Sequence, residues 1–315
     1  MIAGRNLNHI VIIYQHFNIY YMDKYKWMHG DNMSKRYTAT FCVIILTIIG
    51  IFYYLQTRQS AGQAENQTVS VPIIMYHKLT QEKGLLGDYS ITPEEFEEDL
   101  QYLKENGYHT ITMSELIDFI NGKTALPDKP IILTFDDGYF SDYKYVYPLL
   151  KEYDMKAVFS VIGHITDEYT EEGRQDILYP HILWSMIIEM VESGHAELQN
   201  HGYDIHGQSG GVRGAKQRSG ESDDEYKERL SADLSLFQAR ALEMIGEMPT
   251  TFTYPFGAYS PTSDGILRSL GFLASLTCNE KINKVTVGDA DCLFGLGRLI
   301  RPHGSSIAAV LQKID

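Results

Sequence analysis

The chain has 315 residues, 41 acidic against 27 basic side chains, a formal net charge of -14 and three cysteines. That length holds one large α/β domain or two small ones, and a content of 44% apolar and 22% charged residues excludes global disorder. The acidic balance argues against duplex nucleic acid as the main partner, because phosphate binding needs a basic face, and three cysteines are too few for a disulfide scaffold.

Residues 1–32 are rich in Tyr, His, Asn and Ile without a helical period. Lys35 and Arg36 then lead into an apolar run from Ala39 to Leu55, whose 17 residues lie near the lower limit of a membrane-spanning helix. The basic flank predicts the N-terminal side in the cytoplasm and the bulk of the chain outside. Ser60-Ala61-Gly62 and Gly62-Gln63-Ala64 are small-x-small sites, so the run reads as an anchor or as a cleaved signal. Met33-Ser34-Lys35-Arg36 ahead of it has the layout of an export signal, which makes Met33 the expected start. The expected organisation is therefore a cytoplasmic segment 1–38, a transmembrane or signal segment 39–55, a small polar linker 56–70 and one folded domain over 71–315. Beyond residue 60 the chain holds 21 basic and 39 acidic side chains, a net of -18, more acidic than the whole.

From Val71 onward, strand-like and helical patterns alternate. Residues 71–77 read as a buried strand. Thr92-Pro93-Glu94-Glu95 is a capping box with Pro at the first helical position, and Phe96, Leu100 and Leu103 follow at helical spacing up to Gly107. A short helix is predicted from Ser114 to Ile120, strands over 130–135, 157–163, 196–200, 251–256 and 272–277, and helices leading to Tyr153, over 182–191, 224–245 and 261–270. Residues 207–224 are Gly-, Ser- and charge-rich and predict a solvated loop containing Arg213, Lys216 and Arg218. Gly210-Gly211 to Lys216 lacks the spacing of a phosphate-binding loop, so nucleotide binding is excluded. Repeated β–α units with continuous apolar strands imply a parallel sheet with helices outside, either an open doubly wound sheet or a closed barrel.

The polar residues gather after strand C-termini. In Thr134-Phe135-Asp136-Asp137-Gly138-Tyr139 two carboxylates end an apolar strand; neighbouring side chains on a strand point to opposite faces, but a sharp turn at Gly138 can bring both to one site. His201 and His206, five residues apart in His201-Gly202-Tyr203-Asp204-Ile205-His206, would diverge on a helix but can both fold inward from a loop. Two imidazoles and a carboxylate form a three-ligand set that leaves a position for water on a catalytic metal. His77 ends the first strand and faces the same end. Tyr139 and Trp184 could stack on sugar rings or pack in the core.

These segments, together with Tyr254-Pro255-Phe256-Gly257 and the opening Met75-Tyr76-His77, resemble the polysaccharide deacetylases of carbohydrate esterase family 4, the NodB-homology domain, and within it the branch of poly-N-acetylglucosamine deacetylases. The resemblance covers about residues 71–315. It implies a distorted (β/α) barrel and metal-dependent removal of acetyl groups from an N-acetylated surface polysaccharide, peptidoglycan or poly-N-acetylglucosamine, with an O-acetyl esterase and a non-catalytic wall-binding protein as alternatives. By position it makes Asp136 the base, Asp137, His201 and His206 the ligands of a divalent ion (zinc first, cobalt or another also suited), and the Phe256 backbone N–H an oxyanion donor beside Tyr254, Tyr139 and His77. Two departures stand out. Thr253 stands where many members carry an Arg that tethers the base, and the late acid is matched only by His303 in Arg301-Pro302-His303-Gly304.

Overall fold

A computed structural model describes residues 67–171, 179–207 and 214–312. The apolar run 39–55 and the segments flanking it lie outside the described residues, and among the described residues no helix is long and apolar enough to cross a membrane.

The core is an all-parallel sheet. Its strands are β2 (Ile73–Tyr76), β5 (His109–Thr110), β6 (Pro130–Asp137), β7 (Ala157–Val161), β8 (Ala196–Asn200), β9 (Thr251–Thr253), β10 (Ala274–Leu276) and β12 (Leu299–Ile300). They run in the order β10-β9-β8-β7-β6-β2-β12, with β5 paired to the start of β6. Beyond the two outer strands a parallel bridge joins Leu276 to Leu296, so the sheet curls until the segment entering β12 meets the end of β10. The sheet is thus a curled parallel half-barrel, consistent with the barrel of the two topologies the sequence leaves open. Outside this sheet, β1 (Thr68–Val71) pairs antiparallel with β11 (Asn283–Thr286), and β3 (Lys78–Leu79) pairs with β4 (Ser90–Ile91).

Strand alternation sorts the side chains into two layers. On β6, Ile131, Leu133 and Phe135 face outward and join Ile74, Tyr76 and Phe159 under the helices. Tyr76, Phe135 and Phe159 stack in a row with centroids 5.0 and 5.2 Å apart, and Phe96 sets its edge against the first two. Phe96 comes from α1 (Pro93–Glu105), whose capping box forms as the sequence predicts: Thr92 accepts from the Glu95 N–H and Glu95 accepts from the Thr92 N–H. Burying each such aromatic contributes about 1.5–3 kcal/mol. The inward residues Ile73, Ile132, Val158, Ala274 and Leu276 cluster instead with Met113, Leu116, Ile117 and Ile120 of α2 (Met113–Ile120), which stoppers the N-terminal end of the barrel.

The remaining helices are α3 (Tyr147–Tyr153), entered through a π-turn at Asp142–Val146, α4 (Gly163–Glu171), α5 (Trp184–Glu192), α6 (Asp223–Ile245), α7 (Ser263–Ser269) and α8 (Ile307–Gln312). Four of the predicted strands are shorter than expected: 71–77 breaks at Pro72, 157–163 ends at Val161, two residues before α4, 251–256 turns into a 3-10 turn at Pro255–Gly257, and 272–277 is confined to Ala274–Leu276. Trp184 is fully buried and donates its indole N–H to Asp167 at 2.6 Å, which makes it a core residue and removes it from the sugar-stacking candidates.

Candidate metal centre

Above the apolar layer the barrel interior turns polar. Thr134 Oγ1 donates to the Ile74 carbonyl, and Ser160 and Thr253 share a 2.7 Å hydrogen bond. The next level up holds Asp136, Asp137, His77 and His201, all beside strand C-termini.

Asp136 continues the inward alternation of β6. Asp137 would point to the helix layer, but its φ of +74° and that of Gly138 at +73° reverse the backbone and return its carboxylate to the interior. The turn thus begins one residue earlier than the sequence suggests, at a non-glycine in left-handed conformation, a strained state of the kind held at functional sites. Gly138 is required where it stands: a Cβ there would lie 2.9 Å from Val161 Cβ and Cγ1.

Asp137, His201 and His206 offer ligand atoms that all lie within 4.8 Å of one another. Asp137 Oδ1 is 3.1 Å from His206 Nε2 and 3.4 Å from His201 Nε2, yet it is buried and has no well-aligned donor. His201 Nδ1 bonds the Thr253 carbonyl at 2.8 Å; since a carbonyl only accepts, the proton sits on Nδ1 and the Nε2 lone pair faces Asp137. Burial pushes the Asp137 carboxyl up, but the two imidazoles facing it more than offset this and hold it well below the ordinary carboxylate range. An orphaned buried oxygen between two imidazole nitrogens, one with its tautomer fixed, fits a divalent cation.

The tether of Asp136 is Arg298, which sequence reasoning missed. It is fully buried at the seam of the barrel and donates Nη1 to Asp136 Oδ1 at 2.7 Å and Nη2 to Oδ2 at 2.8 Å. Its remaining donors reach the Thr277 carbonyl and Thr134 Oγ1. Burial raises the Asp136 carboxyl, but the Arg298 charge and then His201 outweigh it, so the group is lower than usual. The available signal was a lone Arg inside the apolar stretch Leu296-Gly297-Arg298-Leu299-Ile300; a cation embedded there needs a buried partner.

His77 is drawn into the same site, with Nε2 3.8 Å from Asp136 Oδ2 and Nδ1 buried without a partner. Burial lowers its pKa, against the opposing pull of Asp136 and Asp137. The expectation for His303 is corrected. It lies in the turn before α8, where its ring bonds Glu95 at 2.8 Å, so it joins the capping box of α1 and not the carboxylate pair. Tyr254 is corrected as well: it falls on the outward face after β9, fully buried, and its hydroxyl donates to Asp264 at 2.7 Å. Phe256 adopts φ +59° and lays its ring 4.5 Å from that of His206. Tyr139 packs between Tyr179 and His181, its phenol pushed up by burial and by the Asp137 carboxylate. Of the loop basics, Lys216 and Arg218 meet neighbours of their own region, the Lys216 carbonyl accepting from Arg229 and the Arg218 N–H reaching Glu221, while Arg213 lies outside the described residues.

Residues 123–275 match the family model described as polysaccharide deacetylase. The chain is 33% identical over 123 residues to YxkH of Bacillus subtilis, covering 37% of this chain and 43% of that protein. It is 24% identical over 259 residues to the poly-beta-1,6-N-acetyl-D-glucosamine N-deacetylase of Escherichia coli K12, covering 76% of this chain and 38% of that one. The chain thus spans about two fifths of the length of each of these curated relatives. Among solved structures, IcaB from Ammonifex degensii superposes with a TM-score of 0.61 at 28% identity, covering 77% of this chain and 94% of that one.

Proposed function

We propose that this chain, whose residues 123–275 match the polysaccharide deacetylase family model, is a metal-dependent hydrolase that removes N-acetyl groups from an N-acetylglucosamine-containing surface polysaccharide. The observation that carries this reading is the pairing of the Asp137–His201–His206 ligand set, whose Asp137 Oδ1 is buried without a hydrogen-bond partner, with an adjacent carboxylate, Asp136, locked as an anion by Arg298. The names of the relatives favour poly-N-acetylglucosamine over peptidoglycan as the polymer. We further propose that the domain over 71–315 works outside the membrane, tethered or released through the segment 39–55.

A divalent ion, zinc in the first place, held by Asp137, His201 and His206 would supply Lewis acidity, acidifying a bound water and polarising the amide carbonyl. Asp136 takes the proton of the attacking water; its anionic state is assured by Arg298, and the bidentate fork leaves the carboxylate no freedom to rotate away. The N–H of Phe256 is assigned to the developing oxyanion. An amine cannot leave as an anion, so a proton donor is needed at the nitrogen. His77 is assigned that role: it follows β2 at the same end of the sheet as the base, with Nε2 3.8 Å from Asp136 Oδ2, so its imidazole can deliver a proton to the leaving nitrogen beside the carboxylate.

The test is acetate release from β-1,6-linked N-acetylglucosamine oligomers, peptidoglycan fragments and acetylxylan, on protein stripped of metal and then resupplied with zinc or cobalt. Release from the N-acetylated glycans only after resupply is expected. Release from acetylxylan alone would identify an O-acetyl esterase. Polymer binding without any release would identify a wall-binding protein, and full turnover by stripped protein would overturn the metal mechanism.

A further inference from the structure

We propose that Asp233, on α6, is a positioning residue for the metal centre: its carboxylate clamps the loop between His201 and His206 and so presets His206 before an ion binds. The inference rests on the metal-centre reading above.

Its basis is the set of backbone hydrogen bonds that hold Gly202, Tyr203 and Asp204 in that loop. The Gly202 N–H donates to Asn200 Oδ1 at 2.7 Å, the Tyr203 N–H to Asp233 Oδ1 at 2.8 Å and the Asp204 N–H to Asp233 Oδ2 at 2.7 Å. On the acceptor side, the Gly202 and Tyr203 carbonyls take the N–H groups of Gly163 and His164, the first two residues of α4, each at 3.0 Å. The loop backbone is therefore held by α6 from one side and by α4 from the other. Gly202, at φ +88°, makes the turn possible, since a Cβ there would lie 2.5 Å from Ile205 Cγ1.

Asp233 is placed by helix geometry. Leu230, Leu234, Phe237 and Ala241 form the buried stripe of α6, and Asp233 lies three residues after the first and four before Phe237, on the edge of that stripe. Both carboxylate oxygens are consumed by consecutive backbone N–H groups. An amide cannot replace it, because Asn offers one acceptor and turns a second donor toward an N–H. The clamp grips Tyr203 and Asp204, three and two residues from His206, so its loss frees the second imidazole while the first stays fixed by the Thr253 carbonyl.

The experiment measures zinc affinity by chelator competition, together with the visible spectrum of the cobalt-loaded protein, in wild type, Asp233→Asn and Asp99→Asn. Asp99 is a buried acid bonded to Tyr76 and Arg301, away from the loop, and serves as the control for loss of stability alone. Asp233→Asn is expected to weaken zinc binding about 10–100-fold and to alter the cobalt spectrum, and Asp99→Asn to lower the melting temperature with affinity kept. A folded Asp233→Asn that binds zinc as wild type does overturns the clamp alone; wild type that takes up no divalent ion overturns the metal-centre reading and the clamp together. If Asp233→Asn does not fold, hydrogen exchange on metal-free wild type decides: strong protection of the Tyr203 and Asp204 amides is expected, and exchange at the rate of an open loop overturns the proposal.

Discussion

Asp136 and Asp137 share a peptide bond yet are held by opposite means. Asp136 keeps ordinary strand geometry and has both oxygens on one guanidinium. Asp137 reaches the site through a left-handed backbone and has an oxygen left over. The first arrangement suits a base that must remain charged and in place; the second suits a ligand. Arg298→Lys keeps the charge and removes the fork, and kcat for acetate release is expected to fall about 10-fold or more, because an ammonium is a point charge. Arg298→Ala leaves Asp136 buried and unpaired, with an expected loss of about 3–5 kcal/mol in urea denaturation. The two imidazoles proposed for the acid are separated by a second pair of variants. His77→Ala is expected to lower kcat by about 10²–10⁴-fold, and His303→Ala to leave it nearly unchanged, with a small loss of stability from the Glu95 contact. The opposite ranking would return the acid to His303.

Among the elements, the β6 turn does the most to define the site. Gly138 has φ +73° and an added Cβ would lie only 2.9 Å from Val161, so Gly138→Ala is expected to lower the melting temperature and the metal content together. The backbone cost alone is about 1–2 kcal/mol. Gly265 in α7 is the comparison: it has open space around it and helical surroundings, and Gly265→Ala is expected to stabilise by about 0.5–1 kcal/mol. Thermal melts with metal analysis on both variants check this. The same elements show what local pattern can reveal. The capping box of α1 and the apolar run of β6 were legible because each is set by residues a few positions apart. The helix α4 was not: it starts at Gly163 with no Ser, Thr, Asp or Asn ahead of it, and its first residues are engaged by the metal loop.

For the whole molecule, the β–α alternation announces a parallel sheet, and the positions of polar residues after strand ends announce which end carries chemistry. The Asp137–His201–His206 set was readable for the same reason, as each member ends a strand or follows one closely. What escaped is long-range closure. The two-residue strand β12 pairs with β2 some 225 positions earlier, Leu299 opposite Ile74, and no local signal reports such a pairing. Arg298 sits beside that strand and Asp233 in the middle of a long amphipathic helix; neither belongs to a motif, and each acquires its role only when distant segments meet.

The position of Arg298 also imposes an order in time. The base is made at residue 136 and its anchor 162 residues later, on the strand segment that closes the barrel. During synthesis the ligands and the base emerge well before the guanidinium that steadies them. A nascent or prematurely released chain therefore has no partly competent form: its buried carboxylate stays uncompensated until the last wall of the barrel arrives. Completion of the fold and onset of chemistry are then a single event.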